Sequence, residues 1–411
     1  RSDSARCLLA ASRRGRLRRR PAAGGGGGGL MAASTLSAAP TVRRDPAAPW
    51  RHVDVTLVVA VVAIAGLGVL MVYSATRFRI EDDPTFFLRR QGLFTVVGIG
   101  IMAALSLVDY RALADRGPVL YVGTVLGLLA VLSPLGSNRR GSQAWFQLGP
   151  YQLQPSELAK VGLIVCIAAY AAAHRGTLDA RALLAVLGLV GFPLALIMGQ
   201  PDLGTGLVLV AILAGTLLVS GARLLHLAVL ALVVLVALVG AFRLGVIDLE
   251  GYQQDRITAF LDPDSGTQGP AYNLQQSKIA VASGGIWGKG LFKGTQTKLA
   301  YVPEQHTDFI FTVVGEELGL VGSGLLLTLF ALVMWRTWRV AAVARDLAGT
   351  VVCVGVLAML VFQVFQNVGM TMGILPITGI PLPFMSYGGS STVASFAAVG
   401  LVLNVHMRRF S

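Results

Sequence analysis

From Val53 onward the sequence is a series of apolar runs long enough to cross a bilayer, separated by polar or glycine/proline-rich breaks. About 20 apolar residues in a helix match the hydrocarbon thickness of a membrane. Unpaired backbone cannot face lipid, so each run must be helical. Ten such runs are readable, at 53–73, 92–108, 118–135, 156–173, 182–199, 203–220, 223–243, 308–334, 347–373 and 389–407. The expected fold is an all-α polytopic membrane domain over residues 53–411, with one large loop, 244–307, between helices 7 and 8. Composition agrees: 54% of residues are hydrophobic and 13% charged, where a soluble domain carries about 25% charged residues.

The net charge of +13 is not a nucleic-acid signal. Residues 1–52 hold 11 of the 34 Lys and Arg but 2 of the 21 acidic residues, so the body is nearly balanced. Six arginines within Arg13–Arg20, then Gly24–Gly29 and a run of Ala, Ser and Pro, cannot bury enough apolar surface to offset chain entropy, and disorder is expected. Two readings of this tail are open: a polybasic segment on an anionic leaflet, or over-extended sequence ahead of a native start at Met31. Cys7, Cys166 and Cys353 have no metal or redox spacing. Two lie inside apolar runs, as small hydrophobes do.

Orientation follows from the short loops. With the arginine-rich tail in the cytoplasm, Arg111, Arg116, Arg175, Arg181, Arg223, Arg336, Arg339, Arg345, Arg408 and Arg409 fall on the same side. Arg77, Arg79, Arg89, Arg90, Arg139 and Arg140 in the first two outer loops break the pattern. Both termini are expected in the cytoplasm and the long loop outside, where a segment of such length is usually functional.

Several polar groups could carry chemistry. In the long loop, Gly284-Gly285-Ile286-Trp287-Gly288-Lys289-Gly290 and Gly294 lie among Lys278, Lys289, Lys293 and Lys298. Glycines expose N–H donors that can hold phosphate; equally, the lysines can meet lipid headgroups as an interfacial segment. Asp308 sits where this loop enters an apolar helix. There a partly desolvated carboxylate makes a better base, and a helix cap made by Thr307 or Asp308 is the alternative. Glu304 and His306 either tune Asp308 or are solvated. Glu157 and Lys160 share one helix face at ion-pair spacing, as a bundle-stabilising pair or a substrate contact. Gln200-Pro201-Asp202 reads as a turn and cap, and Gln363, Gln366 and Asn367 as interhelical glue. The loop Gly373–Ser390, saturated with Pro and Gly, cannot be a continuous helix and is expected to re-enter against the site.

The runs Tyr301–Phe311, Glu316-Glu317-Leu318-Gly319 and Gly373–Ser391, with Gln154–Lys160, Gln200–Thr205 and Gln276–Gly290, resemble the SEDS family (shape, elongation, division, sporulation). The resemblance covers the chain from about Val53 to the end. Gly288-Lys289-Gly290 followed by Gly294-Thr295-Gln296 leans toward the elongation branch rather than the septal one. It implies a ten-helix peptidoglycan glycosyltransferase of the bacterial plasma membrane that polymerises lipid II, a disaccharide-pentapeptide on undecaprenyl diphosphate. By the same resemblance Asp308 is the essential aspartate, Glu157 and Lys160 are the family ion pair, and a class B penicillin-binding protein is the cross-linking partner. Lys289, Lys278, Glu157, Lys160, His306, Glu304, Tyr387 and Ser386 are the substrate-contact candidates. No cofactor is required by this reading, which leaves room for a divalent cation, Mg or Mn, at the diphosphate. One departure is visible: Ala144 stands before Trp145 where relatives often carry Arg. The rival classes are a transporter of lipid-linked precursor and a non-catalytic scaffold. Ten helices without matching halves, and polar groups gathered at one side, disfavour the transporter.

Overall fold

The computed structural model describes residues 52–79, 83–139, 142–174, 179–222, 269–299 and 301–409, with isolated positions at 225, 228, 256 and 258–260. The expected disordered tail, the seventh expected span at 223–243 and most of 244–268 lie outside these residues. The apolar runs become helices α1 (Val55–Thr76), α2 (Phe86–Leu107), α4 (Gly117–Leu132), α5 (Pro155–Ala173), α6 (Ala180–Met198), α7 (Leu203–Val219), α10 (Ile310–Ala342), α11 (Leu347–Thr371) and α12 (Gly389–Met407). Among the described residues seven of these are long and apolar enough to cross a membrane, and α4 and α7 are shorter apolar helices. Three further helices lie outside the expected spans: α3 (Tyr110–Asp115), α8 (Pro270–Gly284) and α9 (Thr295–Lys298).

The fold is not purely helical. Between α4 and α5 stand three short antiparallel strands, β1 (Ser137–Arg139), β2 (Ser142–Leu148) and β3 (Tyr151–Leu153). Gly149, at φ +59°, makes the β2–β3 turn, with Leu148 opposite Tyr151. The segment is too short and too polar to span, so its backbone groups pair across strands instead.

Helix α12 is the centre of the bundle: 94% of its apolar window is buried inside the protein. It packs on α2, α5 and α11. The lipid-facing helices leave large apolar side chains exposed, among them Leu93, Val96, Leu320 and Leu325, as a bilayer solvent allows. The break between α6 and α7 is the expected turn and cap: Thr205 N donates to Asp202 Oδ1 at 3.0 Å. Buried Gln200 donates to the Leu128 carbonyl at 3.3 Å.

The two ends of the bundle differ. At one end α1, α10 and α12 are locked by charge. Arg336 donates to Asp54 at 2.6 and 2.8 Å, and Arg408 donates to the Ser106 and Leu107 carbonyls at 3.0 and 2.6 Å. Asp346 accepts from Gly349 N at 2.8 Å, the Tyr110 hydroxyl at 2.7 Å and Arg111 at 3.0 Å. Burial works to raise the Asp346 carboxyl, but these donors and the Arg111 charge outweigh it and hold it below the ordinary range. The opposite end, where α2, α5, α7, α10 and α12 begin and α11 finishes, carries the candidate chemistry.

Helix α10 is broken at Gly319, whose φ of +66° is outside the helical region. The glycine-rich segment after α8 lies in the break. Lys289 N and Gly290 N donate to the Glu316 and Glu317 carbonyls, each at 3.0 Å, while Leu320 N and Val321 N donate to the Gly285 and Ile286 carbonyls at 2.9 and 3.1 Å. Four bonds from a loop thus replace those the helix loses. Only glycine allows this approach: a Cβ on Gly288 would stand 2.2 Å from the Glu317 carbonyl oxygen, and one on Gly319 2.3 Å from Gly288 N.

Candidate active site

Asp308 lies at the mouth of α10, half-buried, in a tight turn closed by Glu304. Glu304 takes a positive φ of +52°. Its carbonyl accepts from Thr307, Asp308 and Phe309 N at 3.2, 3.1 and 3.4 Å. The cap position of α10 is Phe309, with no side-chain cap hydrogen bond. The capping alternative for Thr307 and Asp308 therefore does not hold, and the Thr307 hydroxyl donates back to the Glu304 carbonyl at 3.1 Å instead.

The residue is positioned by its backbone. Asn367 on α11 uses one amide nitrogen for both the Asp308 carbonyl and the Ile380 carbonyl, each at 2.8 Å. Gln366 donates to the Pro376 carbonyl at 2.9 Å. These side chains were expected as interhelical glue; they fasten the Pro/Gly loop to the helix carrying them. That loop is non-helical and largely buried through Ile377, Ile380, Leu382, Phe384 and Met385, the re-entrant arrangement its composition implied. The place a Cβ of Gly379 (φ +73°) would occupy is 3.4 Å from Asp308 Oδ2 and 3.5 and 3.8 Å from the terminal nitrogens of Arg256. Carboxylate and guanidinium share one small space above a glycine.

The other candidates divide. His306 is buried, its ring packed edge-on to Phe87 and tilted against Tyr387, with centroids 5.2 and 5.5 Å away. Its carbonyl accepts from Tyr387 N at 2.8 Å, so His306, Tyr387 and Asp308 belong to one neighbourhood. Ser386 is buried and its hydroxyl accepts from Leu382 N at 2.8 Å, closing the loop. Lys278 is exposed on α8, with Nζ 2.8 Å from where a Cβ on Gly373 would sit. Glu157 and Lys160 form a 2.7 Å ion pair with side chains 4% and 1% exposed, sealed inside the bundle in this conformation.

Lys289 stands apart from Asp308. Its ammonium is engaged by Glu316 at 2.9 Å and by the Thr295 hydroxyl at 2.6 Å. Glu316 is fully buried and also accepts from Gln296 N, Thr297 N and the Thr297 hydroxyl at 2.8, 3.0 and 2.8 Å. Glu317 accepts from the Ser74 hydroxyl at 2.5 Å and Phe292 N at 3.1 Å. The expectation that the amides of the glycine segment face a phosphate fails at Lys289 and Gly290, whose N–H groups are spent on α10 carbonyls. The segment is a splint. It reaches toward Asp308 through Gln305, three residues earlier, which donates to the Thr297 and Thr312 hydroxyls at 3.1 and 3.2 Å.

Comparison with known proteins agrees with this architecture. The model of the cell-cycle protein family FtsW/RodA/SpoVE matches residues 55–410. The chain is 38% identical over 358 residues to stage V sporulation protein E of Bacillus subtilis, covering 86% of this chain and 96% of that one. It is 35% identical over 360 residues to peptidoglycan glycosyltransferase MrdB of Escherichia coli, covering 87% and 94%. A solved structure described as coordinating polymerization and crosslinking in a peptidoglycan synthase complex superposes with a TM-score of 0.74 at 33% identity, over 88% of this chain and 100% of that one. With a bundle of apolar helices, a re-entrant loop against Asp308 and a family match across the whole body, the chain belongs to the SEDS family of polytopic bacterial membrane proteins.

Proposed function

We propose that this chain is a peptidoglycan glycosyltransferase that polymerises lipid II at the extracytoplasmic end of its bundle, with Asp308 as general base. One observation carries the reading: at the mouth of α10 the Asp308 carboxylate and the Arg256 guanidinium meet above Gly379, with the Asp308 backbone held by Asn367, which also holds the re-entrant loop. A base in that place takes the proton from the acceptor sugar hydroxyl as its oxygen attacks the anomeric carbon. The bond from that carbon to the diphosphate breaks, and undecaprenyl diphosphate leaves with inversion. Positive charge near the leaving oxygens lowers the barrier, because charge develops there in a dry site. Arg256, close to the Asp308 carboxylate, is the residue we assign to supply it. No group of three or more His, Cys, Asp or Glu side chains that could hold a metal occurs among the described residues; a divalent ion would be held by the diphosphate itself.

The orientation rests on charge: Arg111, Arg116, Arg336, Arg339, Arg345, Arg408 and Arg409 lie at the end away from Asp308, as cytoplasmic loops require. The relatives named for sporulation and for glycosyl transfer stand at similar identity, and the Gly288–Gln296 pattern favours elongation over septation. A class B penicillin-binding protein is the proposed partner, supported by the synthase complex that this fold matches. Purified protein given labelled lipid II tests the activity. Glycan strands are expected; lipid crossing a vesicle bilayer without strands would make the chain a transporter instead.

A further inference from the structure

Asn367 holds the turn before α10 from one side, at the Asp308 carbonyl. Gln305 holds it from the other, and its hold runs back to Glu316. Gln305, Thr297, Thr312 and Glu316 are all buried. The protons of the two threonine hydroxyls are fixed by what they face. Thr297 lies 2.8 Å from the Glu316 carboxylate and Thr312 lies 2.6 Å from the Phe309 carbonyl, and both of those groups only accept. Each hydroxyl therefore donates away from Gln305 and turns a lone pair toward it. The Gln305 amide nitrogen supplies the matching protons, one to Thr297 at 3.1 Å and one to Thr312 at 3.2 Å. One chain of hydrogen bonds thus joins the Glu316 carboxylate to the carbonyl of the residue after Asp308.

What this chain secures is a strained turn. Glu304, next to Gln305, has a φ of +52°. A residue other than glycine adopts that left-handed backbone at a cost, and keeps it only where its surroundings over-determine it. The Glu304 carbonyl takes the N–H groups of Thr307, Asp308 and Phe309, so this conformation sets where Asp308 leaves the turn. An amide clamped between two buried hydroxyls keeps the turn from relaxing. The outermost link is Lys289, partly exposed, whose ammonium is 2.9 Å from Glu316. The chain begins near the surface of the splint and ends beside the base.

We infer that Gln305 is a positioning residue for Asp308, itself held in register by Glu316 through Thr297. This rests on the reading of Asp308 as the base. Gln305→Met keeps the length of the side chain and loses both donors; Thr297→Val keeps its shape and loses the link to Glu316. In full-length protein each is expected to lower kcat for labelled lipid II by about ten-fold, with KM unchanged and the melting temperature near the wild type. Both cut one chain, so the double variant should lose no more than Gln305→Met alone. Hydrogen exchange of the same proteins in nanodiscs reads the turn directly. The amides of Thr307, Asp308 and Phe309 should exchange faster in both variants, while those of α12 keep their rates. A folded Gln305→Met with wild-type kcat overturns the inference, as does a lowered kcat with the turn amides unchanged. A raised KM with kcat retained would make Gln305 a substrate contact instead, and single losses that multiply in the double variant would show that the two residues act apart. Exchange needs no substrate, so the two readings fail separately: a wild type that forms no strands sinks the polymerase, and turn amides that stay protected in Gln305→Met sink the hold on the turn.

Discussion

Asp308→Asn is expected to lower glycan polymerisation by about 10²–10⁴-fold, the usual contribution of a positioned general base. The melting temperature should stay within a few degrees of the wild type. The substitution keeps shape and removes the carboxylate. A carboxylate that only capped the helix would instead leave both stability and turnover near the wild type, since an amide caps nearly as well. The structure argues against a capping role, because α10 starts at Phe309 without a side-chain cap. The Asn367 and Ile380 anchors contact backbone, so the variant loop should hold its place. Substrate binding should survive, and the loss should fall on kcat rather than KM. Stability by thermal melt and turnover of labelled lipid II together check this.

The second large effect concerns Lys160. Lys160→Met should destabilise the bundle by about 3–5 kcal/mol, because it leaves the Glu157 carboxylate buried without its ion-pair partner. Replacing both, as Glu157→Leu with Lys160→Met, removes both charges from an apolar setting and should restore most of the stability. The pair is 2.7 Å apart and shut off from solvent, so its attraction is unscreened while its solvation is lost. Thermal melts of the single and double variants measure this. Turnover in the double variant then separates the two roles: a folded, active double variant marks a structural pair, and a folded, inactive one marks a pair that substrate reaches in another conformation.

Much of this was legible in the sequence, for a physical reason. Lipid forces apolar residues outward and backbone into helices, so hydropathy locates spans closely in places: 156–173 became Pro155–Ala173 and 389–407 became Gly389–Met407, while 308–334 ran on to Ala342 and 92–108 began earlier, at Phe86. The Pro/Gly loop at 373–388 was readable because its residues forbid a helix. The small sheet was not, since Ser137–Leu153 is short and its alternation is weak. The glycine segment was open to two readings, a phosphate holder or an interfacial segment, and its role as a splint was hidden for a deeper reason. A glycine shows that backbone approaches something closely; it does not say whether that is a phosphate or another backbone. The signal that could have decided it was Gly319 beside Glu316 and Glu317 in an apolar span: two buried carboxylates and a helix breaker demand donors from another segment. Arginines that broke the charge pattern carried information too. Arg77 donates to the Phe292 carbonyl at 2.5 Å, and the Arg90 guanidinium lies over the Phe86 ring, 4.1 Å from its centroid.

The pH dependence of lipid II turnover tests the central claim most directly, because Asp308 has two titratable neighbours, Glu304 and His306, that could serve as base in its place. Measured in the wild type and in the Glu304→Gln and His306→Gln variants, the rate should fall on the acid side with a slope of one in all three. A limb that disappears with either substitution would show that the proton is taken by that neighbour and not by Asp308, whereas a neighbour that only tunes Asp308 would move the limb and keep it.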